Sequence, residues 1–157
     1  MTYPPIRFLA DDAAVRRVGE GFLACTLAKA EWTHEAHLAT CLWVIVERPE
    51  IVAERDLPAL IRRYNESVGG VNNDTQGYHE TITQVWVGSV RDHLGETGED
   101  TLVGQVNALL ESARGRRDWP LRFYSPERLF SKAARRSWIS PDIASIAAWS
   151  RHIDGAL

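Results

Sequence analysis

The hydrophobic pattern of this chain is helical. Apolar residues recur at intervals of three and four along most of the sequence, and the strict alternation typical of strands is rare. The pattern predicts an all-α fold: a single-domain helical bundle of about five main helices, followed by short C-terminal helices. The main helices are expected to run from Asp11 or Asp12 to near Leu27, from Thr33 to about Glu47, around Leu57–Tyr64, from about Tyr78 to Leu94, and from about Asp100 to Ala113.

The C-terminal part has a different pattern, with short apolar clusters between serine and proline residues. Ser125-Pro126 and Ser131-Lys132 are typical of the capped starts of one- or two-turn helices. A last helix is predicted to begin at Pro141 and to contain Ile146 and Trp149. We interpret residues 143–157 as a candidate C-terminal extension helix that packs against a second copy of the chain.

Length and composition fit one domain spanning residues 1–157. With 45% apolar residues, a chain of 157 can bury a sizeable core but is too short for two comfortable domains. The net charge of -3 provides no broad basic surface, which argues against nucleic acid as a partner. Cys25 and Cys41 lie in apolar helical patterns and are expected to be reduced core thiols.

The sequence also lacks features of a membrane or exported protein. No run approaches the roughly 18 apolar residues of a membrane span. The N-terminus has no charged segment followed by an apolar one, as a signal peptide would have. We therefore expect a soluble, cytoplasmic protein with no membrane partner.

Histidines are concentrated in two segments that each open a predicted helix. The segments are Trp32-Thr33-His34-Glu35-Ala36-His37-Leu38 and Gly77-Tyr78-His79-Glu80-Thr81-Ile82-Thr83. On a helix that advances about 100° per residue, His34 and His37 fall on the apolar stripe of the second helix. His79 falls on the apolar stripe of the fourth. The sequence therefore predicts three inward-facing imidazoles that converge.

Three inward histidines from two helices can hold a divalent metal while leaving one coordination position open. His34, His37 and His79 are therefore predicted metal ligands, and imidazole suits Zn, Fe, Cu and Ni alike. Glu80 or Glu35 would be the catalytic acid or base of such a metal-dependent enzyme, acting on a small organic substrate. The His34 to His37 spacing is one residue short of the zinc-protease pattern, and the Glu-x-x-His of di-iron bundles occurs only once.

The same histidines also fit a metal-free pocket that binds, or acts on, an anionic or carbonyl-bearing small molecule. For both interpretations the predicted substrate-binding residues are Tyr78, Thr83, Trp86, Asn65, Arg122 and Tyr124. Arg122 is included because a guanidinium clamps a carboxylate or phosphate, and Tyr124 because it could close over the bound group. Arg135 and Arg136 are interpreted as an ordinary charged face.

A third interpretation is a structural or partner-binding helical protein whose histidines only satisfy carbonyl and hydroxyl groups. Trp43 and Trp149, at outward-leaning or terminal positions, are then the candidate contact residues. A homodimer is left open as a partner.

Four motifs together resemble a family of small bacterial helical proteins for which we know no established reaction. They are Trp32-Thr33-His34-x-x-His37-Leu38, Tyr64-Asn65, Gly77-Tyr78-His79-Glu80-Thr81-x-Thr83-x-x-Trp86 and Tyr124-Ser125-x-Glu127-Arg128-Leu129. The motifs extend over most of the chain, from about Glu31 to Asp142. The resemblance implies that His34, His37 and His79 cooperate in one site, and it implies no activity.

Overall fold

The computed structural model describes residues 2–145, and every regular element within that range is a helix. The prediction of an all-α bundle with five main helices and short C-terminal ones is confirmed. The α-helices of the described range are α1 Asp12–Ala24, α2 His34–Glu47, α3 Ala53–Ser67, α4 Glu80–Glu96, α5 Leu102–Glu111, α6 Pro126–Leu129 and α7 Lys132–Arg136. Short 3₁₀ turns cover Lys29–Glu31, Ala113–Gly115 and Trp119–Arg122.

Several helix starts follow from side chains that cap backbone N–H groups. The Thr33 hydroxyl accepts a hydrogen bond from the backbone N–H of Ala36 at 3.1 Å. Asp11 and Thr101 cap α1 and α5 in the same way. Thr33 therefore fixes the start of α2 where the sequence predicts it, with His34 as the first helical residue.

Two helix boundaries near the site differ by two or three residues from the approximate predicted ones, each for a local reason. Helix α1 ends at Ala24 rather than near Leu27, because Cys25 adopts a left-handed conformation with φ of 57° and its N–H bonds back to α1 carbonyls. Helix α4 begins after His79 rather than at Tyr78, because the His79 imidazole caps the helix. Histidine is not a preferred capping residue, so this cap could not be predicted from the residue type.

Helix α2 lies at the centre of the core and contacts α1, α3, α4 and α5. The consecutive residues Leu42, Trp43 and Val44 are all buried, so α2 is covered on every side there. The Trp43 ring lies so close to Gly19 of α1 that a methyl group at that position would overlap it. The interpretation of Trp43 as an outward-leaning contact residue is therefore wrong, and Trp149 lies outside the described residues.

The C-terminal segment forms a second, smaller core against α4. Tyr124 is fully buried in it, and its hydroxyl donates to the Ile139 carbonyl at 2.7 Å. The buried Thr81 hydroxyl at the start of α4 donates to the Ser137 carbonyl at 2.9 Å. These bonds hold the C-terminal segment beside the N-terminus of α4, next to His79.

Helices α3 and α4 are held together by side-chain contacts beside a proline of α3. Pro58 lies inside α3 and has no N–H, so the Glu54 carbonyl four residues earlier receives no helical hydrogen bond from it. The Gln84 side-chain amide of α4 donates to that carbonyl at 3.0 Å. The Glu54 carboxylate also forms a two-pronged ion pair with Arg91 of α4. Together these contacts fix α3 over the first half of α4, where the candidate site lies.

The last predicted helix is not formed over residues 141–145, which are the part of it that the structure describes. The rest of the predicted extension, residues 146–157, lies outside the described residues. Among the helices of residues 2–145, none is both long enough and apolar enough to cross a membrane. Cys41 is a buried free thiol, as predicted, and Cys25 is a half-buried one.

Candidate functional site

A cavity of about 650 Å³ lies between α2, α3, α4 and the loop of residues 68–79. Its volume is in the range of sites for small organic molecules. We call it the histidine cavity, because His34, His37 and His79 all line it. The other predicted site residues on its wall are Asn65, Tyr78, Thr83 and Trp86. The fold therefore brings seven of the eleven predicted site residues to one volume.

Aromatic and aliphatic side chains form most of the wall. They are Phe22, Trp32, Leu38, Leu57, Ile61, Val68, Val71, Ile82, Trp86, Val87 and Phe130. Trp32 stacks on Phe22 with ring centroids 4.6 Å apart, and the Tyr64 ring lies 5.2 Å from it. This aromatic cluster holds the Trp32 indole in place on the wall.

His34 is held by the polypeptide chain that follows α5. Its Nε2–H donates to the Gly115 carbonyl at 2.8 Å, which leaves Nδ1 as the acceptor of a neutral ring. Its ring meets Trp86 edge-on, with centroids 5.4 Å apart. Burial lowers the pKa of His34, against an opposing effect of the bond to Gly115. The ring is therefore neutral at pH 7.

His37 lies one turn further along α2. Its Nδ1–H donates to the Thr33 carbonyl at 2.7 Å, and its ring packs on Trp32 with centroids 3.9 Å apart. Part of its surface is exposed, but the protein atoms crowded around the ring disfavour the imidazolium and lower the pKa of His37 to about 4. His37 thus presents a neutral Nε2 acceptor.

His79 has both ring nitrogens engaged by backbone groups. Nδ1 accepts from the Ile82 N–H at 3.1 Å, and Nε2–H donates to the Leu129 carbonyl at 2.8 Å. The ring therefore joins the start of α4 to the end of α6. Burial lowers the pKa of His79, which keeps the ring in this neutral form at pH 7.

The hydrogen bonds of the three histidine rings determine which of them could bind the predicted metal. A ligating imidazole needs one nitrogen with an available lone pair. His34 and His37 each have one, and His79 has none in this structure. Within residues 2–145, no three His, Cys, Asp or Glu side chains are grouped so that they could hold a metal ion. The metal centre stays a prediction from the sequence, and the described residues do not form its three-ligand set.

Glu80, one of the two predicted acid–base residues, is bonded to its neighbours rather than to the cavity. Its carboxylate accepts hydrogen bonds from the Tyr78 hydroxyl and from Gln84 Nε2. The Arg62 guanidinium lies over the Tyr78 ring, 4.3 Å from its centroid. Burial and the bond to Glu80 raise the pKa of the Tyr78 hydroxyl, so it stays protonated. Tyr78 and Glu80 act as a pair that orders the start of α4.

Three other predicted site residues lie away from the histidine cavity. Glu35 and Arg122 line a second, smaller cavity near the N-terminal segment, which includes His34 in its wall. Tyr124 lies in the second core, where its hydroxyl is bonded to a carbonyl. The structure therefore does not bring Arg122 and Tyr124 together with His37 and His79.

Two other predicted binding residues on the cavity wall are hydrogen-bonded to neighbouring residues. The Thr83 hydroxyl donates to the His79 carbonyl at 2.8 Å. Asn65 donates to the side-chain oxygen of Asn72 at 3.1 Å, and the same oxygen accepts from the Tyr78 N–H. These bonds tie the end of α3 to the loop that borders the cavity.

Two wall residues outside the predicted substrate-binding set carry polar atoms without a hydrogen-bond partner. Trp32 Nε1 and Thr40 Oγ1 are buried, and neither has a hydrogen-bond partner among the residues that the structure describes. Both residues line the histidine cavity. Thr40 lies three positions after His37 on α2, and this helical spacing was the signal that could have identified it.

The electrostatics of the wall favour neutral or anionic ligands. None of the described lining residues is aspartate or glutamate, whereas Lys29 and Arg135 are both on the wall. Arg135 was interpreted as part of a charged face, but it donates to the Gly77 and Tyr78 carbonyls and so holds the loop against α7. Burial raises the pKa of the lining thiol of Cys41 to about 12, so that thiol is protonated and unreactive.

Comparison of the chain with protein-family models, with curated proteins and with solved structures finds no match. The motif resemblance therefore brings no activity to the site, and a function has to be argued from the geometry alone.

Proposed function

We propose that this protein binds a small, largely apolar organic molecule, carrying a hydrogen-bond acceptor such as a carboxylate or carbonyl, in the histidine cavity. One observation carries the proposal: Trp32 and Thr40 line a cavity whose described wall contains no acidic side chain, and their Nε1 and Oγ1 atoms have no hydrogen-bond partner within residues 2–145. An unpartnered buried donor costs free energy, and a ligand acceptor would recover that cost.

The remaining wall supports the same ligand class. Its aromatic and aliphatic side chains would cover the apolar body of a ligand. Lys29 and Arg135 would favour a negative group, and no carboxylate of the described wall would repel it. The neutral imidazoles of His34 and His37 would accept from any hydroxyl or N–H that the ligand also carries.

The test is a thermal-shift screen of arylacetates and medium-chain alkanoates, each beside its uncharged amide, in buffer with and without EDTA. Hits are then titrated by calorimetry. We expect one-to-one binding that EDTA does not change. Two variants remove the unpartnered groups: Thr40→Val is nearly isosteric, and Trp32→Phe keeps an aromatic ring at that position. Each should weaken the binding of an amide by about three- to tenfold and that of a carboxylate by about tenfold or more, because a hydrogen bond to a charged acceptor is stronger.

Trp119→Phe is the matched control, because Trp119 Nε1 donates to Ser89 and Trp119 is not on the cavity wall. It should leave the affinity of every hit unchanged. The proposal is wrong if no compound binds, or if hits bind the Trp32 and Thr40 variants as tightly as the wild type. Stoichiometric metal in untagged protein, lost in His37→Ala, would instead support the metal-dependent enzyme.

A further inference from the structure

A second cavity, of about 430 Å³, includes the His34 ring in its wall and lies apart from Trp32 and Thr40. The N-terminal segment supplies Tyr3, Pro4 and Ile6. The start of α2 supplies Glu35, and the chain from Leu110 to Arg117 supplies most of the remaining wall. We call it the N-terminal cavity.

Glu35 is the unexplained group of this cavity. It is only 5% exposed, and its Oε1 has no hydrogen-bond partner within residues 2–145. The nearest cation, Arg117 Nη2, is 3.8 Å from Oε1, which is too far for a hydrogen bond. A buried carboxylate oxygen without a donor is unfavourable, so a donor arriving at this position would be stabilising.

Positive groups face the same volume. Arg116, Arg117 and Arg122 all line the N-terminal cavity. Arg116 is paired with Asp118, and the Arg122 guanidinium lies 5.1 Å from the centroid of the Trp119 ring. Arg117 has only the long contact to Glu35 among the described ion pairs, so Arg117 and Arg122 remain able to receive an anion.

We propose that the N-terminal cavity binds a zwitterion, an α-amino acid with an apolar side chain. Its ammonium would donate to Glu35, and its carboxylate would bind Arg117 and Arg122. The side chain would pack on Ile6 and Leu110. A simple anion fits less well because it would face the carboxylates of Glu35 and Glu111, and a simple amine fits less well because it would face the arginines.

The experiment compares three probes of equal apolar size by calorimetry and thermal shift on the full chain: L-leucine, 4-methylpentanoate without the ammonium, and 3-methylbutylamine without the carboxylate. We expect L-leucine to bind one-to-one. Each analogue should bind at least about tenfold more weakly, because each lacks one charge-assisted contact.

Glu35→Gln and Arg122→Gln should each reduce the affinity for L-leucine by at least about tenfold. Glu127→Gln, an exposed change outside both cavities, is the control and should leave the affinity unchanged. If Glu35→Gln does not fold, Arg122→Gln with the two analogues still decides the question. No binding of L-leucine, equal binding of an analogue, or wild-type affinity in a folded variant would overturn the proposal.

Discussion

The imidazole of His37 packs on the indole of Trp32, with ring centroids 3.9 Å apart, while its Nδ1–H is bonded to the Thr33 carbonyl. One side chain thus links the aromatic cluster to the first turn of α2. Because protein atoms crowd the ring, the fold accommodates neutral His37 better than its imidazolium, against an opposing effect of the bond to the Thr33 carbonyl.

The first prediction concerns acid stability. Burial lowers the pKa of His37 from 6.5 to about 4, and it also lowers the pKa values of His34, His79 and His93. As the pH falls below 6.5, the unfolded chain therefore takes up protons before the folded one. The free energy of unfolding should change little between pH 6.5 and about 8 and should fall steadily between pH 6.5 and about 4. Urea titrations across that range measure it.

His37→Asn isolates one ring, since the asparagine amide can replace Nδ1–H as donor to Thr33 without titrating. Its unfolding free energy should fall less steeply than that of the wild type over the same range. The ion-paired carboxylates of Glu47 and Asp74 have pKa values lowered from 4.5 and 3.8, respectively. Their protonation therefore lowers the unfolding free energy mainly at more acid pH. If the unfolding free energy of His37→Asn falls with pH as steeply as that of the wild type, His37 does not contribute to the acid sensitivity and the prediction is wrong.

The second prediction compares two buried threonines. Thr40 has an unpartnered hydroxyl, whereas the Thr81 hydroxyl donates to Ser137 and accepts from the Ile139 N–H. Thr40→Val should leave the unfolding free energy within about 0.5 kcal/mol or raise it. Thr81→Val should lower it by about 1–3 kcal/mol, because it leaves buried backbone groups unpaired. Equal losses in the two variants, measured by urea unfolding, would show that Thr40 is satisfied in solution.

The helices were predictable because their signals are local. Thr33 and Thr101 cap the helices where the sequence predicts starts, and apolar spacing selects the buried faces. The position of His34 and His37 on one cavity wall also follows from helical phase. The capping role of His79 did not, because it depends on the Leu129 carbonyl fifty residues away in sequence.

The rest of the site depends on contacts between distant segments, which periodicity does not encode. Arg122 and Tyr124 are neighbours in sequence, but Arg122 faces the N-terminal cavity and Tyr124 enters the second core. Arg135 lies in a sequence segment that is typical of an exposed charged surface. It becomes part of the cavity wall only because the loop before α4 passes beside it. Such positions follow from tertiary packing rather than from local pattern.

The third prediction uses two helical glycines. An added Cβ at Gly19 would lie 2.2 Å from the Trp43 ring, whereas one at Gly95 would meet nothing within 4 Å. Gly19→Ala should therefore lower the unfolding free energy by about 1–3 kcal/mol through overpacking of α1 on α2. Gly95→Ala should raise it by about 0.4–1 kcal/mol, because alanine restricts the unfolded chain. A stable Gly19→Ala would mean that α1 and α2 are further apart than described.

The fourth prediction tests the joint between α3 and α4. In the wild type, Gln84 supplies the donor that Pro58 withholds from the Glu54 carbonyl, so Gln84→Met should lower the unfolding free energy by about 1–2 kcal/mol. In a Pro58→Ala background, the new alanine N–H can bond to that carbonyl within α3. The same Gln84→Met change should then cost about 0.5–1 kcal/mol less, with a remainder from its bond to Glu80. Urea unfolding of the four proteins gives this coupling directly, and strictly additive losses would show that Gln84 does not compensate for the proline.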